Sequence, residues 1–313
     1  MNKTGPEKYS KIHEWNQNKL IDRNCPFCNS SGEFSFTRPD NLKIKYCNVC
    51  GSFFVSPSPS ENELNTFYNT YFSEYRRVEL NEYWANRMLS VHPYSDIRVR
   101  EITSIIDLKG KTVLDVGCGY GQNLINFQKL GATVNGIDLD EESIKFIKNE
   151  LNIENTKNCD LKSVDGTYDI ILLNDFIEHP LNPLDELIKA EQLLNKNGIL
   201  TIWTPNAHFA FEETNPVIFN VDLEHMQYLS FKTCTYLSEI LKLDIIHLES
   251  LGFPGFKGFN EIKLSKIDDL KTKVIKVINT HEKLYNFYNS VHGFNSKDIR
   301  DGRYHLFCIL QKR

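Results

Sequence analysis

The stretch that decides the fold is VLDVGCGYGQN, residues 113–123, where an apolar run ending in an acid is followed by three glycines. Asp115 stands two positions before Gly117, and Gly119 and Gly121 follow at alternate positions. A tight turn is one explanation of these glycines. The other is that a large, charged ligand lies against the backbone, because a glycine-rich turn between a strand and a helix presents N–H groups to a ligand.

The chain around this turn alternates between short apolar runs and helical segments. The apolar runs are TVLDVG, TVNGIDLD, YDIILLND and ILTIWTP, followed near the end by DIIHLES and RYHLFCILQKR. The helical segments are GQNLINFQKLG, ESIKFIKNEL, LDELIKAEQLLNKNG and FKTCTYLSEILKL. Such alternation predicts an α/β fold with a parallel sheet and helices on both faces. The wholly apolar DIILL fits a strand that is covered on both sides.

Four cysteines near the start form two Cys-x-x-Cys pairs, Cys25 with Cys28 and Cys47 with Cys50, with eighteen residues between the pairs. This spacing favours a site of four thiolates, which is an arrangement that zinc prefers. A closed shell leaves no position for a water, so we expect the zinc to be structural. Buried thiols or a redox pair are the alternatives.

These patterns divide the chain into three parts. We predict a zinc-binding segment at 1–60, a helical connector or lid at 61–108, and an α/β domain at 109–313 with an insertion at about 252–302. The breaker-rich SPSPS closes the first part. A short helix is also predicted at 8–21.

Two regions could cover a binding site. Tyr71, Phe72 and Tyr75 lie in the connector, where we expect them to pack in helices, with a lid over the ligand as the alternative. The insertion contains an amphipathic helical pattern at 264–288 with several lysines. A charged helix face is usually solvated, and a membrane surface is a second interpretation. A substrate lid is the functional role that we predict for it.

Composition limits the class of protein. The chain has 313 residues and a formal net charge of −5. No apolar run approaches the roughly 20 residues of a membrane-spanning helix. No apolar stretch follows the first lysines as in a signal peptide. The cysteines are therefore expected to be reduced or metal-bound, and the protein to be cytoplasmic. The oligomeric state stays open.

Charge also argues against nucleic acid as a partner. The segment 1–60 has eight Lys or Arg against five Asp or Glu. Four thiolates with Zn²⁺ would reduce this surplus to about +1. Phosphate binding needs a clustered basic face, so a recognition role for this segment is not expected.

Carboxylates near the glycine turn distinguish between two cofactors. Dinucleotides usually bind G-x-G-x-x-G, whereas this turn is G-x-G-x-G after Asp115. A carboxylate there would repel a pyrophosphate and attract a ligand with an ammonium and a sulfonium, which favours S-adenosylmethionine (SAM) over NAD. Asp138 ends the second strand, where it could accept both ribose hydroxyls, although an acid at this position also caps helices.

Residues from about 110 to 250 resemble class I SAM-dependent methyltransferases, with LDVGCGYG as the first motif. The cysteine pairs and GSFFVSPSPSENELNTFY resemble the zinc-ribbon head of a bacterial small-molecule or sugar branch of that family. The resemblance implies a Rossmann-like, doubly wound sheet of seven strands. It also implies the SAM-binding residues: Asp115, Gly117, Gly119 and Gly121 for the methionine part, Asp138 for the ribose, Leu139 and Asp160 for the adenine, and Asn174 with Asp175 at the methyl-transfer cleft.

Two histidines are candidate general bases. His179, in FIEHPLNP, follows the fourth strand and should lie at the carboxyl edge of the sheet, where ligands of such folds bind. His225, in DLEHMQYLS, is the second candidate, and Glu224 could orient it. A hydroxyl acceptor gains roughly 10²–10⁴-fold from a base. Each histidine could instead only shape the pocket.

Three functions remain open at this point. The first is methylation of a small-molecule acceptor, with O-methylation of a sugar, nucleotide-sugar or related metabolite preferred over carbon or nitrogen. The second is methylation of RNA or protein, with the zinc segment used for recognition. The third is a scaffold that does not bind SAM, which the intact glycines, Asp115 and Asp138 argue against.

Overall fold

The computed structural model describes residues 13–69, 71, 80–213, 216–221, 223–252 and 302–313, and the findings below concern these residues. Phe72, Tyr75 and the predicted helix at 264–288 lie outside them. Residues 13–21 show only a short 3-10 turn at Gln17–Lys19, so the helix predicted at 8–21 is wrong in its described part.

Eleven strands form within the described residues. They are β1 (Glu33–Thr37), β2 (Lys43–Tyr46), β3 (Phe53–Val55), β4 (Thr112–Val116), β5 (Thr133–Asp138), β6 (Thr156–Asn158), β7 (Tyr168–Asn174), β8 (Leu194–Pro205), β9 (Gln227–Tyr228), β10 (Leu243–Leu251) and β11 (His305–Lys312).

Seven α-helices accompany them in the same part of the chain. They are α1 (Glu61–Tyr68), α2 (Glu82–Ser90), α3 (Ile97–Ile105), α4 (Gln122–Lys129), α5 (Glu141–Leu151), α6 (Pro183–Leu193) and α7 (Phe231–Leu241). Short polar side chains start several of these helices by accepting a backbone N–H, as Asp140 does from Ser143 at the start of α5.

The larger sheet has seven strands in the order β10-β11-β8-β7-β4-β5-β6. Strands β6, β5, β4, β7 and β8 run parallel, whereas β11 is antiparallel to both β8 and β10. The predicted seven-stranded, methyltransferase-type sheet is therefore confirmed, but it is mixed and not wholly parallel. Residues 170–173 of β7 are fully buried, as expected for a central strand with both faces covered.

The parallel register places the ends of β4 and β5 side by side. Asp115 pairs with Gly136 and Val116 with Ile137, and the N–H of Gly117 donates to the Ile137 carbonyl at 2.9 Å. The glycine turn after β4 and the acid at the end of β5 therefore meet at the carboxyl edge of the sheet, which is where ligands bind in this class of fold.

A second, smaller sheet has the order β1-β2-β3-β9. Strands β1 to β3 come from the cysteine-bearing segment, but β9 comes from the connection between β8 and α7. Phe27 and Phe54 of the segment share a buried apolar cluster with Leu229 and Leu237. The two sheets are therefore joined by both strand pairing and a common core.

Candidate active site

The glycine turn has a backbone that other residues rarely adopt. Gly117, Gly119 and Gly121 have φ angles of +69°, +52° and +86°, in the left-handed region where only glycine is unstrained. A Cβ built on Gly117 would also lie 3.0 Å from the Phe176 ring. Gly121 then starts α4. Side chains are thus excluded where the chain passes from β4 into the helix.

Asp115 is buried near the end of β4, two residues before the first glycine of this turn. Its side chain is 0% exposed, and Oδ1 accepts a hydrogen bond from Asn123 at 3.3 Å. Among the described residues, Oδ2 has no hydrogen-bond partner. Burial raises the pKa of Asp115 to about 7. A buried carboxylate with an unused oxygen is suited to a ligand that brings a donor or a positive charge.

Asp138 lies at the neighbouring strand end. Its Oδ2 accepts from Gly119 N and its Oδ1 from Asp140 N, both at 2.8 Å. Burial raises the pKa of Asp138 to about 6. The carboxylate is thus held at the rim of the turn by two backbone donors, with its remaining lone pairs available to a ligand.

A cavity of about 450 Å³ lies at this edge of the sheet, next to Gly117 and Asp138. The predicted site residues that line it are Gly117, Asp138, Leu139, Asp160, Asp175 and His179. Asp115, Gly119, Gly121, Asn174 and His225 are outside this set of lining residues. Leu139 is 37% exposed, an open apolar surface of the kind that an adenine ring covers. The cavity therefore combines three of the predicted acids, the first glycine of the turn and an apolar wall.

Asn174 ends β7 behind the cavity. It is 5% exposed and accepts a hydrogen bond from Thr201 at 3.1 Å, and its Nδ2 has no partner among the described residues. Asp175 follows with a φ of +52°, which is unusual for a residue other than glycine. Strained residues of this kind cluster at binding sites, and Asp175 borders the cavity.

His179 faces the cavity within a hydrogen-bonded chain. The Tyr68 hydroxyl donates to the Glu224 carbonyl at 3.2 Å. The Tyr68 oxygen also lies 2.6 Å from Nδ1 of His179, and which of these two atoms donates depends on the tautomer of the ring. The tautomer in which Nδ1–H donates to Tyr68 has an unprotonated Nε2, which is the form that a general base needs.

His225 lies behind His179. Its ring is 4.8 Å from the His179 ring, and it is only 4% exposed. Next to it, Glu224 is 1% exposed and accepts a hydrogen bond from the Tyr71 hydroxyl at 2.6 Å. The two predicted histidines are thus brought together, but only His179 borders the cavity. Tyr71 packs in the core as expected, but it also borders the cavity, and its hydroxyl orients Glu224.

Tyr68 and Arg98 are site residues that the sequence did not indicate. The Arg98 guanidinium contacts Asp96 at 2.7 Å and Asp175 at 3.4 Å, and lies 5.4 Å from the Trp203 ring centre. Burial opposes its charge, but Asp96 raises the pKa of Arg98 overall. No spacing rule could link Arg98 to Asp175, because 77 positions separate them.

The four cysteines lie together as the spacing predicts. Their sulfur atoms are all within 4.8 Å of one another, with 3.4 Å between Cys25 and Cys50 and 3.3 Å between Cys28 and Cys47. Ligands about 2.3 Å from a tetrahedral zinc would be about 3.8 Å apart. The cluster therefore fits a four-thiolate zinc ion.

A second group of ligand atoms lies within 4.8 Å of one another at Glu178, His179 and His225. A metal bound through Nδ1 of His179 would compete with the hydrogen bond between that atom and the Tyr68 hydroxyl. Among the described residues, no helix has both the length and the apolar character to cross a membrane.

Comparisons with known proteins agree with this geometry. The sequence model of a family described as "Methyltransferase domain" matches residues 75–242. A ubiquinone biosynthesis O-methyltransferase of Coxiella burnetii (strain Dugway 5J108-111) is 31% identical over 161 residues, which cover 49% of this chain and 67% of that protein. The enzyme of the same name from Thiobacillus denitrificans is 30% identical over 125 residues, covering 37% of this chain and 53% of that protein.

The chain thus spans about half to two thirds of these relatives. Among solved structures, a SAM-dependent methyltransferase from Archaeoglobus fulgidus is 24% identical, with a TM-score of 0.45 over 69% of this chain and 91% of that chain. A TM-score of this size adds no argument, and the family assignment rests on the matched residues 75–242 and on the curated relatives. The chain therefore belongs to the class I SAM-dependent methyltransferases.

Proposed function

We propose that this protein transfers the methyl group of SAM to a hydroxyl group of a small-molecule acceptor. The observation that supports it most directly is His179, which borders the cavity and has its ring held by a hydrogen bond between Nδ1 and the Tyr68 hydroxyl. The relatives described above are named as O-methyltransferases, which agrees with a hydroxyl acceptor.

The residues around the turn are assigned to the parts of SAM as follows. Asp138 accepts the ribose hydroxyls, and Leu139 and Asp160 contact the adenine. The backbone of Gly117, Gly119 and Gly121, together with Asp115, holds the methionine part, where the unused Oδ2 of Asp115 suits the ammonium. Arg98 supplies a cation for the carboxylate, and Asn174 offers its buried Nδ2 nearby.

The chemistry needs positioning and one proton transfer. When bound, SAM supplies an electrophilic methyl group on a sulfonium. The acceptor oxygen bonds to the methyl carbon as the carbon–sulfur bond breaks, the electron pair remains on sulfur, and Nε2 of His179 takes the hydroxyl proton. Holding the reactants in line can supply much of the acceleration, and the base adds roughly 10²–10⁴-fold. His225 supports the His179 ring from behind.

The finer proposal is that the acceptor is a sugar, a nucleotide-sugar or a related polyhydroxylated metabolite. Further polar side chains border the cavity, namely Asn65, Asn69, Lys162, Asn182 and Glu186. Amides and charged groups of this kind bind several hydroxyls at once. An acceptor without polar groups would leave them desolvated and unpaired.

Methylation of RNA or protein through the cysteine segment is the alternative, and the contacts of its arginines argue against it. Arg38 is 2% exposed, and its guanidinium contacts backbone carbonyls of this same chain. Arg23 does the same with Leu181 and Met226. These cations therefore serve internal contacts and not a phosphate backbone.

Replacement of His179 by alanine should lower turnover at least tenfold, because the acceptor hydroxyl loses its base. The Kd of SAM should stay within about twofold, since none of the groups assigned to SAM is removed. Transfer of label from SAM to a panel of sugars and nucleotide-sugars measures the first quantity and calorimetry the second. His247→Ala is the matched control, because His247 lies on the edge strand β10 and pairs with Glu249. Full turnover in His179→Ala would contradict the role.

Binding of SAM should weaken as the pH falls. Burial raises the pKa values of Asp115 and Asp138 to about 7 and about 6, so both carboxyls gain protons in the free protein as the pH drops through that range. The ionised forms are the ones that attract the ammonium and accept the ribose hydroxyls. We expect the Kd at about pH 5.5 to be at least tenfold higher than at about pH 8, because each unit below a pKa costs up to a factor of ten.

Calorimetry in buffers of different ionisation enthalpy measures both this Kd and the protons released on binding. Asp138→Asn should flatten the lower part of the pH profile. A Kd that is constant over the whole range would show that neither carboxyl changes its ionisation when SAM binds.

A further inference from the structure

The loop that carries His225 is built into the small sheet. We call residues 223–229 the His225 loop and residues 175–182 the His179 loop. Within the His225 loop, Tyr228 pairs with Phe53 and Gln227 with Phe54 in antiparallel register. The Val55 N–H also donates to the Met226 carbonyl at 2.8 Å. A loop of the catalytic domain is thus an edge strand of the cysteine-bearing segment.

Arg38 holds the backbone of the His225 loop through hydrogen bonds. It is buried and paired with Asp40, also buried. Its guanidinium donates to the carbonyls of Leu223 and His225, and to the Tyr228 hydroxyl at 3.0 Å. A planar group with five donors can satisfy these separate acceptors at once. The backbone on both sides of Glu224 is therefore fixed by one side chain of the segment.

Arg23 links the segment to both loops. Its guanidinium donates to the Leu181 carbonyl of the His179 loop at 2.9 Å and to the Met226 carbonyl of the His225 loop at 2.7 Å. A third bond runs to the Val55 carbonyl of β3 at 2.8 Å. Arg23 is two positions before Cys25, and its backbone is held by Ser56, whose hydroxyl accepts from the Arg23 N–H at 3.2 Å and donates to the Arg23 carbonyl at 2.9 Å.

The two loops are also bonded to each other. The Gln227 amide donates to the carbonyls of Ile177 and Pro180, both at 2.7 Å, and the Met226 N–H donates to the Glu178 carbonyl at 2.8 Å. His179 lies within this network. A shift of the His225 loop would therefore move the backbone that places the His179 ring.

The Asp115 and Asp138 carboxylates lie outside these contacts. They are held by groups of the central sheet and the glycine turn, namely Asn123, Gly119 and Asp140. The hydrogen bonds of Arg23 and Arg38 described above run to the two loops and β3 and to none of these groups, although the His179 loop also carries Asp175, which contacts Arg98.

We propose that Arg23 and Arg38 are positioning residues, through which the cysteine-bearing segment sets the geometry of the His179 and His225 loops and so controls turnover without contributing to SAM binding. The inference rests on the proposed function for the role of His179. According to this proposal, the cysteine-bearing segment acts in catalysis through contacts within the chain, because Arg23 and Arg38 donate hydrogen bonds to carbonyls of the two loops.

The test compares the Arg38→Lys variant with the wild-type protein, both as the full chain. Lysine keeps a positive charge beside Asp40, but its single ammonium cannot reach the carbonyls of both Leu223 and His225. We expect turnover to fall about tenfold and the Kd of SAM to stay within about twofold. Amide hydrogen exchange should become faster in peptides covering 223–229 and unchanged in peptides covering 112–123. Lys45→Met is the matched control, because Lys45 is a cation on β2 with only a 3.8 Å contact to an exposed Asp22.

Two results for Arg38→Lys would overturn the proposal. One is unchanged turnover with unchanged exchange in 223–229. The other is a loss of SAM affinity that parallels the loss of turnover, which would indicate a general structural role. If Arg38→Lys does not fold, Tyr228→Phe decides, because it removes one acceptor of Arg38 and leaves the charge pair intact. The same split between turnover and SAM affinity is then expected, and its absence overturns the proposal.

The exchange and affinity measurements do not depend on the acceptor. If the wild-type protein methylates no hydroxyl compound, the proposed function fails. Faster exchange confined to 223–229, with SAM affinity retained, would still support the positioning contacts.

Discussion

Replacement of Asp138 by alanine should weaken SAM binding by at least about a hundredfold. The carboxylate at the end of β5 is the group assigned to both ribose hydroxyls, and hydrogen bonds to a charged acceptor contribute about 1.5–3 kcal/mol each. Loss of two such bonds, about 3–6 kcal/mol, corresponds to a factor of roughly 10²–10⁴ in affinity. Titration calorimetry with SAM and with S-adenosylhomocysteine measures the effect.

The matched control is Asp169→Ala. Asp169 belongs to β7 of the same sheet, but it accepts from the Thr112 N–H at the opposite strand ends, at 2.9 Å. Its loss removes a carboxylate of similar setting without touching the cavity. Equal affinity of the two variants for SAM would show that the ligand does not use the end of β5, and an NAD-sized ligand bound there would contradict the whole assignment.

Removal of metal from the cysteine cluster should unfold the segment that carries it. We propose that one structural zinc is bound by Cys25, Cys28, Cys47 and Cys50, and structural zinc contributes folding free energy directly. Cys47→Ser should therefore contain no zinc and melt about 10 °C below the wild type, given that each kcal/mol is worth about 2–4 °C in a domain of this size. Elemental analysis and scanning calorimetry measure the two quantities.

Cys159→Ser is the control for this change, because Cys159 is a half-buried cysteine outside the cluster. It should retain one zinc per chain and the melting temperature of the wild type. A wild-type protein that holds no zinc, and whose melting temperature is indifferent to chelators, would contradict the assignment. The cysteines would then be buried thiols.

Local patterns predicted the central fold well. The alternation of apolar runs and helical segments after Gly110 corresponds to β4 through α7, because buried parallel strands and amphipathic helices each leave a periodicity in the sequence. The glycines and the acids at Asp115 and Asp138 were found for the same reason, since the acids lie at the carboxyl ends of β4 and β5 and the glycines directly follow β4. The cysteine pairs were visible because metal ligands keep a fixed spacing.

Other features were predicted wrongly or not predicted, because contacts between residues that are distant in the sequence determine them. The helix at 8–21 is wrong in its described part, because distant contacts hold this stretch: Trp15 is buried against Phe67 of α1, and Ile21 forms an isolated antiparallel bridge with Ser58. The sheet is mixed, since β11 inserts antiparallel between β8 and β10, and apolar composition does not encode strand direction. The limits of the three predicted parts stay predictions, and β9 crosses them by pairing with β3.

The sequence by itself determined the class of sheet, the glycine turn, the two acids beside it and the cysteine cluster, because each of these features leaves a pattern in neighbouring residues. Only the tertiary structure decided that His179 borders the cavity with Tyr68 on its ring, that His225 lies behind it, and that Arg38 reaches the His225 loop. These contacts join residues more than 45 positions apart. Side chains so far apart in the sequence come into contact only when the packed core brings their backbones together. The periodicity of residues within one helix or strand does not indicate such a contact.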